Sequence, residues 1–190
     1  MTQPSYPDRL VDPRLVVRPD RRLIRAGGRS ERFLLIDVTA PTAAQDPARR
    51  RPPVNLAFVL DRSGSMGGQN KLTLAKQATL EAIHRLERDD RFAVVTYDTE
   101  VDIVMPATTA TPEARAEATR RLGPVMPRSS TDLHAGWLSG CEQVATGLAP
   151  EGVNRVLLLT DGLANHGVCE PLELARRAYD LRRRGVTTST

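Results

Sequence analysis

Asp61, Ser63 and Ser65 stand on alternate residues of Asp61-Arg-Ser-Gly-Ser-Met66, directly after the apolar run Val54 to Leu60. A carboxylate and two hydroxyls at the C-terminal end of a buried parallel strand form a set of hard oxygen donors aimed at one point, and such donors suit magnesium. Two other loops carry oxygen donors at comparable places. Thr131 precedes the helical run Leu133 to Val144, and Asp161 follows the strand-like Arg155 to Thr160 and precedes Gly162. Each motif alone also has an ordinary reading. Asp61 and Ser63 can bond the local backbone in a turn, with Ser65 capping the next helix. Asp132 beside Thr131 suits a helix N-cap, and Asp161-Gly162 suits a turn.

Order and spacing together favour the metal-site reading. D-x-S-x-S, then a threonine before a helix, then a strand ending in T-D-G resembles the von Willebrand factor A-type (vWA) domain with its metal-ion-dependent adhesion site, over roughly Val54 to Thr190. The resemblance implies a Rossmann-like vWA fold. It also implies a metal set of Asp61, Ser63, Ser65, Thr131 and Asp161. Ser63 and Ser65 would donate hydroxyl oxygens directly, Thr131 would do so when ligand is bound, and the two aspartates would act directly or through water. The implied ion is magnesium, with manganese or calcium as alternatives, and the implied ligand is a Glu or Asp carboxylate of a protein partner. Hydroxyl donors leave such an ion electrophilic, whereas a cage of carboxylates would quench it.

The elements needed to hold these loops are legible in the pattern. Strands are expected at Val54 to Leu60, Arg91 to Tyr97, Val101 to Met105 and Arg155 to Thr160. Helices are expected at Leu72 to Arg88, Pro112 to Leu122, Leu133 to Thr146 and Pro171 to Arg184. Leu72, Ala75, Thr79, Ile83 and Leu86 form one apolar stripe, and Pro112 and Pro171 suit first helical turns. Alternating strands and helices predict an α/β fold, a doubly wound and mostly parallel sheet with helices on both faces. Residues 1–53 read differently, as an N-terminal β-rich segment with strands around Leu15 to Arg18, Arg21 to Arg25 and Phe33 to Thr39. A turn at Gly27-Gly28 and a linker rich in proline and arginine complete it, and the whole would belong to an accessory β-domain. The A-type domain, 54–190, breaks off in Gly185 to Thr190 at the start of a further strand, so the chain reads as a fragment whose domain is incomplete at its C-terminus.

The 190 residues suit one domain of ordinary size with some chain to spare. The net charge of +4 comes almost entirely from arginine, because Lys71 and Lys76 are the only lysines among 27 basic residues. The arginines are spread along the chain without interleaved aromatics, so no nucleic-acid partner is expected. Cys141 and Cys169 form neither a disulfide framework nor a paired metal motif, and Cys141 reads as a small buried hydrophobe. His166 and Cys169 lack a second pair to complete a zinc site. No apolar leader or membrane span is visible, which gives a cytoplasmic expectation. In this the chain resembles the intracellular bacterial members of the family.

The leading functional expectation is therefore a non-enzymatic, metal-dependent protein–protein interaction module. The alternative is an adaptor subunit of an ATP-driven AAA+ or chelatase-like complex. A metal-assisted hydrolase stands third. The residues around Ser63 lack a G-x-S-x-G elbow, the loop up to Lys71 lacks a phosphate-cradling G-K-[ST] ending, and no histidine or glutamate in these loops reads as a general base.

Overall fold

Val54–Asp61 is almost continuously apolar, as expected of a strand covered on both faces, and it forms the centre of the main sheet. The computed structural model of the chain describes residues 14–21, 23, 27, 31–39, 51–128, 130–162 and 166–190. These fall into two compact units, Met1–Arg50 and Arg51–Thr190. In the first, β1 (Arg14–Pro19) and β2 (Leu34–Thr39) pair antiparallel, with Leu15 opposite Val38 and Val17 opposite Ile36. Gly27, in the connection between them, takes φ of +77°, a conformation glycine adopts without strain. The strand expected at Arg21 to Arg25, Gly28 and the linker from Ala40 onward lie wholly or largely outside the described residues.

The second unit runs β3 (Val54–Asp61), α1 (Lys71–Arg85), β4 (Arg91–Tyr97), β5 (Val101–Thr109), α2 (Pro112–Leu122), α3 (Leu133–Ala145), β6 (Val153–Leu159), α4 (Pro171–Arg183) and β7 (Thr187–Ser189). Sheet order is β5-β4-β3-β6-β7. All neighbours are parallel except β4 and β5. The alternation of strand side chains divides the core in two. Phe58, Leu60, Phe92 and Val94 pack with Leu72 and Ile83 of α1 and Ala118 and Leu122 of α2. Ala57, Val59, Val95, Tyr97 and Val156 pack with Trp137, Cys141 and Val144 of α3, and Leu174 and Ala178 of α4 lie against that side. Helices thus cover both faces, as expected.

Two boundaries differ from the sequence pattern for local reasons. Strand β5 continues past Met105 to Thr109 despite Pro106, because it is an edge strand and its pairing with β4 is irregular between Phe92 and Val95. Helix α1 stops at Arg85 because Leu86 is extended and the Asp90 carboxylate takes the Glu87 amide at 2.6 Å, turning the chain.

Asp90 is a clip at the N-terminal edge of the sheet. Its carboxylate accepts the Val54 amide at 2.9 Å and Arg51 Nη1 at 3.0 Å, and Arg51 Nη2 also contacts it. Burial alone would raise its pKa, but Arg51 and the two amides outweigh burial and hold it below the usual carboxylate value. A carboxyl depressed in the folded state stabilises the fold above its unfolded pKa of about 3.9, and that contribution is lost as pH falls through the lower folded value. Urea unfolding of wild type and Asp90→Asn from pH 7 to 3 is expected to show a clear gap at neutral pH that narrows below about pH 4.

Helix α3 lies unusually close to the sheet. A Cβ on Gly140 would stand 2.3 Å from Val59 Cγ2, and one on Gly136 would stand 2.3 Å from Tyr97 Cγ. Gly140→Ala gains about 1 kcal/mol of helix propensity but overpacks a rigid β-branched neighbour. It is expected to lower unfolding stability by about 1–2 kcal/mol net, read from the urea midpoint.

Candidate metal centre

Strand β3 has β4 on one side and β6 on the other, so the chain leaves β3 in one direction along the sheet and later returns to its opposite edge. This is the switch point at which open α/β sheets form a crevice beyond their strand ends. Asp61 closes β3 at that point, and Asp161 lies two residues past the end of β6.

Asp61 is buried with both carboxylate oxygens engaged. Oδ1 accepts the Ser63 amide at 2.7 Å and Oδ2 accepts the Thr160 hydroxyl at 2.7 Å. From there an irregular 3₁₀ segment, Gly64–Asn70, carries the chain into α1. Ser63 Oγ lies 3.1 Å from Ser65 Oγ, and Ser65 Oγ donates to Asp161 Oδ1 at 2.8 Å. Asp161 Oδ2 is paired with the Lys71 ammonium at 2.5 Å. That ammonium first, with the Ser65 hydroxyl, holds the Asp161 carboxyl below its usual range. The N-caps of the 3₁₀ segment and of α1 are Ser63 and Asn70, neither with a side-chain capping bond, whereas the turn bond donated by the Ser63 amide to Asp61 is present.

Three of the expected donors, Ser63 Oγ, Ser65 Oγ and Asp161 Oδ1, are spaced compatibly with a small divalent cation. Neighbouring oxygens of an octahedral shell with metal–oxygen distances of 2.0–2.1 Å are about 2.9 Å apart. The two separations along Ser63, Ser65 and Asp161 bracket that value. Among the described residues no group of three or more His, Cys, Asp or Glu side chains gathers to hold a metal, so this set stands apart by its hydroxyls. Tyr97 is fully buried nearby. Burial first, and the Asp61 charge second, push its phenol far above the usual value. Its hydroxyl lies close enough to feel Asp61 and Thr160 but has no hydrogen-bond partner among the described residues.

Thr131 is buried, one residue before the N-cap of α3, where Asp132 accepts the Ala135 amide at 2.9 Å. Its segment is tied to β3 and β4 through the backbone. The Asp132 amide donates to Asp98 O at 2.6 Å, and the Arg128 amide donates to Arg62 O at 2.7 Å. Side chains reinforce the same ties. Arg62 Nε donates to Asp98 Oδ2 at 2.9 Å in a pair with side chains only 7% and 0% exposed. Arg62 Nη2 is 2.7 Å from Asp102 Oδ2, although not aligned as a hydrogen bond, and Arg128 Nε approaches Asp98 at 3.4 Å. Burial would raise the Asp98 pKa, but the Glu100 amide and the two guanidinium groups overcome it and the carboxyl is held low.

The hydrogen-bonded line therefore joins Asp61, Ser63, Ser65 and Asp161, and Thr131 sits on a segment braced against the same strand ends. The residues that pattern reading passed over are Thr160, Lys71, Tyr97, Arg62 and Asp98. Thr160 could have been found, since it directly follows β6 and continues the alternation that puts Leu158 on the face covered by α3. Asp98 has no local signature, because its ion pair with Arg62 spans 36 positions. His134 faces Arg177 at 2.7 Å and the Trp137 ring, and burial and then Arg177 push its imidazole pKa down. His166 contacts Asp132 at 3.3 Å.

Because Asp98→Ala removes the buried partner of Arg62 and leaves it only the more exposed Asp102 carboxylate, it is expected to cost unfolding free energy toward the low end of the roughly 3–5 kcal/mol that breaking a buried ion pair costs. Urea melts of Asp98→Ala, Arg62→Met and the double variant provide the check. The double variant is expected to lose less than the sum of the singles.

The family model for the von Willebrand factor type A domain matches residues 55–190. An uncharacterized Synechocystis protein, sll0103, is 38% identical over 149 residues, which is 78% of this chain and 34% of that protein. A von Willebrand factor type A protein from Catenulispora acidiphila superposes with a TM-score of 0.61 at 23% identity, covering 96% of this chain and 41% of that one. Proximal thread matrix protein 1 of the mussel byssus, solved with a zinc-occupied MIDAS motif, superposes at 0.57 and 20% identity, over 73% of this chain and 37% of that one. The chain thus spans about a third of the curated relative's length and under half of either solved chain. Its sheet and the extent of the family match agree: the chain belongs to the von Willebrand factor type A domain family.

Proposed function

We propose that residues 54–190 act as a metal-dependent protein–protein interaction module, with residues 1–53 as an accessory β-segment and linker. Asp61, Ser63, Ser65, Thr131 and Asp161 hold the ion, and magnesium is the metal proposed. The bound ion supplies a Lewis-acidic centre that accepts a Glu or Asp carboxylate from a partner protein. The observation that carries this reading is the run of oxygens Ser63 Oγ, Ser65 Oγ and Asp161 Oδ1 at separations suited to an octahedral shell. Zinc in the MIDAS motif of the structurally similar byssus protein is consistent with it.

Each residue has a distinct task. Asp61, fixed by the Ser63 amide and the Thr160 hydroxyl, orients the loop and would supply negative charge to a bound ion. The two serines contribute neutral oxygens, which leave the ion's charge available to an incoming carboxylate. Thr131 approaches from the α3 side, and its buried position is set by the Arg62 and Asp98 brace. We assign the module no bond-breaking chemistry.

Calorimetric titration of magnesium and manganese into chelator-stripped protein tests the reading. Saturable binding is expected in wild type, weakened on the order of a hundredfold in Asp61→Ala and in Asp161→Ala, with circular dichroism unchanged. No saturable binding by folded wild type, or binding by either variant as tight as that of wild type, would refute it.

A further inference from the structure

We propose that Lys71 is a tethered competitor for the candidate site, a built-in ammonium that shares Asp161 with the divalent ion and thereby sets the site's metal affinity. The inference rests on the proposed metal set, and it goes further by giving a regulatory role to a residue outside that set. Three observations lead to it.

The first is the contact itself. The Lys71 ammonium stands 2.5 Å from Asp161 Oδ2, while the other oxygen of that carboxylate accepts from Ser65. A cation on one oxygen of a ligand and the donor line on the other are positioned to compete for the same negative charge. Metal uptake through Asp161 must work against the ammonium, either by displacing it or by tolerating a like charge a few ångströms away.

The second is the cost of placing a lysine there. Lys71 is the first residue of α1, where the helix dipole disfavours a cation, and the first turn has no acidic residue. The N-cap, Asn70, makes no side-chain cap bond. Gln69 and Asn70 just before it take φ of +51° and +59°, so two non-glycine residues are held in the left-handed region at the point where Lys71 enters the helix. Local helix chemistry therefore argues against Lys71, and among its described contacts the Asp161 pair is the one that offsets this.

The third is the different use of the other lysine. Lys76, one turn along the same helix, donates to Gly123 O at 2.6 Å and Val125 O at 3.0 Å beyond the end of α2. That is an ordinary structural use of an ammonium. Lys71 instead points to the candidate site, and its side chain stays 38% exposed, which leaves it room to swing into solvent when Asp161 is claimed.

The test pairs metal affinity with thermal stability in wild type, Lys71→Met and Lys71→Arg. Lys71→Met removes the competing charge at similar length, so calorimetry is expected to show roughly tenfold tighter magnesium binding. Lys71→Arg keeps the charge and is expected to bind no more tightly than wild type. In chelator, Lys71→Met is expected to melt lower than wild type because Asp161 has lost its partner. On adding magnesium it is expected to gain more degrees than wild type, because binding to the folded state stabilises in proportion to affinity. Equal affinities for wild type and Lys71→Met, weaker binding by Lys71→Met, or a gain shared by Lys71→Arg would each overturn the competitor role while leaving the site intact. Failure of all three folded proteins to bind metal would instead overturn the site, and the competitor role with it.

Discussion

Strand β3 is hydrogen-bonded along both edges and buried on both faces, and this double confinement governs the candidate site. A side chain at its C-terminal end cannot relax into water without disturbing the sheet. Asp61 is therefore a charge that the fold must satisfy internally, and it is satisfied by the Ser63 amide and the Thr160 hydroxyl. Those two bonds fix the direction of the loop after β3 and link it to the end of β6. The close seating of α3 continues the same logic. Gly136 and Gly140 let the helix approach the sheet, and the segment ahead of α3 carries Thr131 toward the strand ends.

Carboxylates around the crevice are neutralised in two different ways. Asp98 is balanced by Arg62, a guanidinium almost wholly withdrawn from solvent, and the pair joins three chain segments. Removing either partner leaves the other withdrawn from solvent with only the weaker contact to Asp102 or Arg128, so this arrangement resists disruption. Asp161 is balanced by Lys71 near the surface, where solvent screens the pair and its dissolution is cheap. The crevice thus combines a fixed frame with one adjustable charge.

Much of the fold was legible because its signals are local. The apolar runs of β3, β4 and β6, the stripe on α1 and the prolines opening α2 and α4 each declare an element within a few residues. The extension of β5 through Pro106 was hidden, since a proline inside a strand is tolerated only at an edge, and strand order is not written in any local segment. The same division runs through the site. Asp61, Ser63 and Ser65 share one short motif, and Thr131 and Asp161 sit at element junctions. Lys71, Arg62 and Asp98 acquire their roles only through pairings across 90 and 36 positions, which propensity and periodicity do not encode.

The choice of lysine at position 71 gains meaning from the composition around it. In a chain where 25 of 27 basic residues are arginine, an arginine would be the default cation. A guanidinium facing Asp161 could grip both carboxylate oxygens in a fork, with Ser65 then displaced from Oδ1. An ammonium is a compact point charge that holds Oδ2 alone and leaves Oδ1 on the line with the serines. On the proposed reading the charges are also balanced toward an acidic partner. Two aspartates offset a divalent ion, and the remaining unit of positive charge is that of Lys71, carried on a flexible stem at the rim. A site of that composition favours a carboxylate over a neutral ligand even before shape is considered.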